Sequence, residues 1–221
     1  MGKYTENRPK CMVELVEGET IIKRQFQVLK KAGIQEVVIT TGPMEELLKN
    51  HVSEISDNMS VSFVNNEKYQ DTNYIYSIYL ARKLLDDDIL LLHGDLVCDE
   101  KVLELLLENK DSGVIVDTSI DLPEKDFKAV IKEGRVKAVG IEFFEDAVPL
   151  QPLYLLRKDD WKMWLGKIVE FCENNDRKCY AEKALNTILD EMILMPVDCK
   201  GGLCREVDCE EDLMTVREYI W

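Results

Sequence analysis

Apolar positions along the chain follow two alternating rhythms. After Thr20, residues Ile21, Ile22, Phe26 and Leu29 fall at helical spacing, with Thr20 as the cap and Gly33 as the stop. Residues 36–41 read as a strand, Gly42-Pro43 as a turn, 44 to about 51 as a second helix and 61–64 as another strand. A polar segment, Asp71-Thr72-Asn73, then feeds a helix that opens with Tyr74-Ile75-Tyr76-Ser77 and runs to the solvated turn Asp86-Asp87-Asp88. Ile89-Leu90-Leu91-Leu92 has no polar interruption, which predicts a strand buried on both faces, ended by His93-Gly94-Asp95. A helix over 101–109 and a buried strand over 113–116 follow. Residues 128–131 and 135–139 flank Glu133-Gly134 as a hairpin, and 151–156 is a further strand. The remainder predicts helices over 158–172 and 180–191, short strands over 194–197 and 205–207, and a helix from 210 to the end. In the first of these helices Trp161, Trp164 and Leu165 face the core.

Strands alternating with helices in the first half imply right-handed crossovers and a mixed, mostly parallel sheet flanked by helices. The hairpin-rich second half adds antiparallel strands. With 221 residues and no linker, repeat or low-complexity block, residues 1–221 form a single domain. A net charge of −15 argues against nucleic acid and against anionic membrane surfaces as partners. No apolar run is long enough for a membrane span. The seven cysteines lack paired metal-ligand spacing, and Cys199, Cys204 and Cys209 have no partnering histidine; reduced thiols fit a cytoplasmic setting.

Candidate chemistry centres on Asp95. An aspartate at the carboxyl end of a buried strand sits where open α/β sheets place ligands, and its hard carboxylate suits Mg2+ held against a phosphate. The alternative is an aspartate that caps or turns the chain. Asn73 and Ser77, four apart, can face one pocket, and Asn73 can cap the helix as well. Tyr69, Tyr74, Tyr76, Tyr79, Tyr154, Trp161 and Trp164 are candidates for a cage around a quaternary ammonium, although aromatics at helical spacing are mostly core. Glu182 could serve a cationic head group. His51 and His93 are isolated, and His93 reads as a packed strand-end residue.

Four stretches in order carry a family resemblance. Thr5-Glu6-Asn7-Arg8-Pro9-Lys10 with Val13-Glu14-Leu15 resembles the segment after the signature loop of sugar-nucleotide pyrophosphorylases. Gly94-Asp95 is similar to their metal-binding aspartate, and Glu206-Val207-Asp208 with Glu211-Asp212-Leu213 to their closing acidic motif. Residues 69–80 resemble the substrate loop of bacterial phosphocholine cytidylyltransferases and their phosphonate-handling relatives. The resemblance implies a Rossmann-like fold of the nucleotide-diphospho-sugar transferase type. It also implies Mg2+-dependent transfer of CMP from CTP to phosphocholine or a similar phosphorylated or phosphonate acceptor, with release of pyrophosphate.

On that reading Lys10, Asp95 and Asp208 are catalytic, Asp95 and Asp208 hold the metal, and Lys10, Gly42 and Gly94 meet the nucleotide. Asn73, Ser77, Tyr74, Tyr76, Glu182 and Tyr154 meet the acceptor. The alternative for Asp208 is the cap of the last helix, and for Lys10 a solvated lysine. A sugar-1-phosphate nucleotidyltransferase and a non-catalytic binding module of the same fold are the competing functions. Two departures stand out. Relatives begin with an apolar strand and a glycine-rich G-x-G-x-R loop, whereas only Met1-Gly2-Lys3-Tyr4 precedes Thr5. The expectation is therefore a domain truncated at its N-terminus and lacking the first strand, with a gap in the sheet or homo-oligomerisation at that edge. Tyr74 stands where phosphocholine-type relatives often carry a second asparagine.

Overall fold

The computed structural model describes residues 1–220. Two 3₁₀ turns, Gly2–Tyr4 and Lys10–Met12, lead into a ribbon of β1 (Glu14–Val16) and β2 (Glu19–Thr20). Helix α1 (Ile21–Lys31) starts where expected, because the Thr20 hydroxyl accepts from the Lys23 amide, and it buries Ile21, Ile22, Phe26 and Leu29. β3 (Glu36–Thr41) and β4 (Ser60–Asn65) pair in parallel around α2 (Glu45–Ile55). Met44, in the left-handed region at φ 63°, precedes α2 rather than opening it.

Helix α3 (Tyr74–Ala81) gives way to a 3₁₀ turn (Arg82–Leu84) and then β5 (Ile89–Leu92). Beyond it come β6 (Leu96–Cys98), α4 (Glu100–Leu107), β7 (Ser112–Val116), the hairpin β8 (Lys128–Lys132) and β9 (Arg135–Gly140), and the long β10 (Ala147–Leu156). The chain ends with α5 (Lys158–Glu173), a short α6 (Ala181–Leu185), β11 (Leu194–Asp198), β12 (Cys204–Glu206) and α7 (Glu210–Ile220).

β10 organises the main sheet, whose order is β11-β7-β10-β8-β9 with β5 also on β10. Its first half pairs with β8, and its second half pairs with β5 and β7, all antiparallel. Parallel ladders join β11 to β7 and β3 to β4. The sheet is mixed as expected, and its antiparallel share is larger than the alternation implies, because β10 inserts between β5 and β7. Successive residues of β7 and β10 point to opposite faces. Val114, Val116 and Tyr154 join the core under α3 and α5, with Ile75, Trp161, Trp164 and Ile168. Ile115, Leu153 and Leu155 join the core under α1 and α4, with Leu29, Leu103 and Leu106. Both faces are covered, giving three layers. Gly113 permits close packing, since a Cβ there would meet Val197 at 3.2 Å and Leu106 at 3.3 Å.

One expectation needs correction here. Residues 89–92, predicted as buried on both faces, are half-buried. Among the described residues β5 pairs with β10 alone and β3 with β4 alone, and both strands line a cavity of about 920 Å³. Val37, Ile39, Leu90 and Leu92 from the strands, with Phe26 of α1 and Ile78 of α3, line it. The expected gap in the sheet is present between β3 and β5. The helix predicted over 180–191 stops at Leu185, and α3 ends at Ala81, well before Asp86. Among the described residues, no helix is long and apolar enough to cross a membrane.

Candidate active site

The turn after β5 is held from below. The side-chain amide of the buried Gln25 donates to the carbonyls of His93 at 2.9 Å and Leu96 at 2.8 Å. Leu96 then opens β6, which pairs antiparallel with β12 so that Leu96 faces Glu206. The Val207 amide donates to the Asp95 carbonyl at 3.1 Å, extending that ladder and delivering Asp208 beside Asp95. Lys10 arrives from the other end of the chain. Pro9 (φ −58°, ψ 149°) opens the Lys10–Met12 turn, which is anchored when the Ile21 amide donates to Val13.

The Lys10 ammonium donates to Asp95 Oδ2 at 2.7 Å and to Asp208 Oδ1. Burial pulls the lysine downward, but the two carboxylates outweigh it, so Lys10 stays charged above its ordinary range. Asp208 is not the side-chain cap of α7. Asp212, in the first turn of α7, reaches back to accept from the Asp208 and Cys209 amides at 3.0 and 2.9 Å, and the Asp208 carboxylate meets Lys10. Gly42, Gly94 and Lys10 lie around the same cavity mouth as Asp95.

A second group lies beside the first. Glu182, 1% exposed, accepts from the hydroxyls of Tyr74 and Tyr154, the latter at 3.0 Å. Burial pushes its carboxyl up, although the Tyr74 hydroxyl, His93 and the Tyr154 hydroxyl pull the other way. Burial and the neighbouring carboxylate raise both tyrosines, so they remain neutral donors. Tyr74 also belongs to a closed ring of aromatics. Tyr74 meets His93 edge-on at 4.9 Å, His93 meets Phe127 at 6.3 Å, Phe127 meets Tyr180 at 5.0 Å, and Tyr180 closes on Tyr74 at 6.3 Å. Tyr180 is exposed, which opens the ring to solvent, whereas Tyr154 is buried behind Glu182. His93 Nδ1 lies 2.7 Å from Glu206 Oε1, and the carboxylate holds the imidazole above its ordinary value against the downward pull of burial.

Lys10, Asp95 and Asp208 thus meet, as do Tyr74, Tyr154 and Glu182. Other residues singled out from the sequence do not join them. Asn73 caps α3 by accepting from the Tyr74 amide at 2.7 Å, and its own amide donates to Arg177. Ser77 accepts from the buried Asn66, which also donates to Thr72 and so ties the loop to the helix. Tyr76 stacks on Tyr79 under the Arg177 guanidinium, apart from the Tyr74 ring. Tyr69 packs over Gly42, and Trp161 and Trp164 are core. Sequence reasoning missed Phe127, Tyr180, Glu206 and Gln25, and it set His93 aside. Glu206 carried a usable signal, since in a strand it shares a face with Asp208, two residues on. Phe127 and Tyr180 carried none.

A family model for a MobA-like NTP transferase domain matches residues 1–158. CMP-5'-(3-aminopropyl)phosphonate synthase of Streptomyces rubellomurinus is 31% identical over 169 residues, covering 72% of this chain and 26% of that protein. Choline-phosphate cytidylyltransferase of Streptococcus pneumoniae is 36% identical over 81 residues, 37% of this chain and 33% of that protein. The chain therefore spans about a quarter to a third of the length of these curated relatives. The solved structure of CTP:phosphocholine cytidylyltransferase from Streptococcus pneumoniae superposes with a TM-score of 0.77 at 17% identity, covering 100% of this chain and 93% of that one, and shares the fold.

Proposed function

Because the chain belongs to the MobA-like NTP transferase family of nucleotidyltransferases, we propose that it transfers CMP from CTP to a small acceptor. That acceptor carries a phosphate or phosphonate at one end and a cationic nitrogen at the other, as in phosphocholine. An acceptor oxygen bonds to the α-phosphorus while the bond to the β-phosphate oxygen breaks, and pyrophosphate leaves. Such a transfer needs positioning and charge neutralisation more than covalent help.

The observation that carries this reading is the pair of carboxylates, Asp95 and Asp208, converging on one cation, the Lys10 ammonium, beside an aromatic ring backed by a buried acid. Two hard carboxylates that reach one point fit Mg2+, which would supply electrophilic charge at the α-phosphate. Lys10 places a point charge where negative charge builds on the phosphoryl oxygens. The faces and edges of Tyr74, Phe127 and Tyr180, with Glu182 behind them, attract an ammonium at the distal end of the acceptor. Two relatives bear names that include an aminopropyl group or choline, each a nitrogenous acceptor, which supports this assignment.

Pyrophosphate release would be measured over CTP, UTP, GTP and dTTP with phosphocholine, 3-aminopropylphosphonate and glucose 1-phosphate. Turnover with CTP and a nitrogenous acceptor, lost in EDTA and in Asp208→Asn, is the expected result. Faster turnover with glucose 1-phosphate than with either nitrogenous acceptor overturns it.

A further inference from the structure

We propose that His93, Asp95 and Glu206 form a second cation site, for a divalent transition ion of the manganese class. One ligand atom from each lies within 4.8 Å of the other two, and all three residues are half-buried. Three different positions supply them: the residue after β5, the turn before β6 and the last residue of β12. The β6–β12 ladder sets Glu206 opposite Leu96, and Gln25 holds the His93 and Leu96 carbonyls, so the turn that carries His93 and Asp95 is fixed by buried contacts.

One edge of the site already has nearly the spacing of adjacent ligands. Ligands about 2.1 Å from a metal and at right angles to one another lie roughly 3.0 Å apart. His93 Nδ1 and Glu206 Oε1 are 2.7 Å apart, so they need separate by only a few tenths of an ångström. The Lys10 contact with Asp95 uses Oδ2, which leaves Oδ1 without that contact. The imidazole ring packs edge-to-face against Tyr74 and Phe127, which limits its rotation.

The charge pattern separates this site from the aspartate pair. Lys10 pairs with Asp95 and Asp208. Glu206 pairs instead with His93. An imidazole with two carboxylates selects manganese, iron or zinc over magnesium, which prefers an all-oxygen shell. Three protein ligands leave positions open for water or for a phosphate oxygen. The inference rests on the nucleotidyl-transfer reading for the use of the ion; the binding does not depend on it.

The test uses the full chain without nucleotide. Mn2+ is titrated in, free Mn2+ is read by electron paramagnetic resonance, and electron spin-echo modulation reports nitrogen coupled to the bound ion. The expected result is bound Mn2+ with ¹⁴N modulation, the nitrogen-coupled site being weakened at least tenfold and stripped of that modulation in His93→Gln. Glu206→Gln, which keeps a hydrogen bond to the ring, should also weaken the nitrogen-coupled site at least tenfold, whereas in Asp208→Asn that site should stay within threefold of the parent. No binding without nucleotide, no ¹⁴N modulation in the parent, or loss of binding in Asp208→Asn with retention in His93→Gln overturns the proposal. The nitrogen signal is read on the parent, so a variant that fails to fold leaves the test intact. Pyrophosphate release plays no part in it, so the two readings can fail separately.

Discussion

Replacing Lys10 by methionine removes one ammonium and leaves Asp95 and Asp208 facing each other. Two unit charges about 4 Å apart attract by roughly 4 kcal/mol at an effective dielectric of 20, before desolvation is subtracted. Lys10 and Asp95 are 28% and 21% exposed at the side chain, so part of that attraction survives; Asp208 is 56% exposed, so its share is mostly screened. A net stability loss of about 1–2 kcal/mol follows, almost all from the Asp95 contact. For a chain of this size that lowers Tm by about 2–8 °C. The lysine value is raised in the folded protein, so its contribution is fully present below the ordinary lysine value of 10.5 and lost only as pH rises past the raised value. The Tm gap between parent and variant should therefore be flat from neutral to mildly alkaline pH.

Turnover should respond more strongly than stability. If Lys10 stabilises charge that builds on the phosphoryl oxygens, its removal costs about 10²–10³ in kcat, the range seen when one preorganised donor is lost. Calorimetric melting and pyrophosphate release on the same preparations measure both quantities. A variant that melts several degrees lower yet keeps kcat within threefold of the parent would show Lys10 to be a structural cation, and the transition-state argument would fail.

Three further outcomes follow from particular contacts. Glu182 has a raised value in the folded protein, so the parent should lose Tm relative to Glu182→Gln as pH climbs from the ordinary carboxylate value through the raised one; a gap that moves the opposite way refutes the buried-acid account. Asn73→Ala should cost about 0.5–2 kcal/mol of stability through loss of the α3 cap, and if acceptor affinity falls with no loss of stability, the residue touches ligand and is not only a cap. The free edges of β3 and β5 should drive concentration-dependent self-association in sedimentation velocity, relieved by Val38→Lys; a parent that stays monomeric over the whole range shows that the edges are protected.

Where one face of an element is buried, the sequence announced it. The period of α1 and its Thr20 cap, the uninterrupted β7 and the β8–β9 hairpin were all legible because each pattern is local. The helix read over 180–191 has a helical pattern as well, yet it breaks after Leu185. There Asn186 both accepts from and donates to the Val139 backbone at 2.8 Å, extending the edge of β9 with its side chain. A tertiary contact between residues 47 apart overrides local propensity, and no window of sequence contains it. The same limit hid the position of β10. Its apolar run shows that it is a strand, but which strands lie beside it depends on contacts across the whole chain.

The candidate site divides along the same line. Lys10 and Asp95 are 85 residues apart, and Lys10 and Asp208 are 198 apart, so no spacing rule could join them; only the order of four motifs pointed to one site. What the sequence could have yielded is Glu206, which alternation places on the face of Asp208, and with it the partner that changes His93 from a packed strand end into a candidate ligand. The aromatic ring is different in kind. Phe127 precedes β8 and Tyr180 precedes α6, so both lie at element ends, where periodicity carries no information and position is set by what the loops pack against. Chemistry borne by strand ends and turns on a rigid sheet can be read from sequence where a ladder register links the residues, as it does for Asp95, Glu206 and Asp208. Where only loops link them, as for Phe127 and Tyr180, it becomes legible once the fold has brought them together.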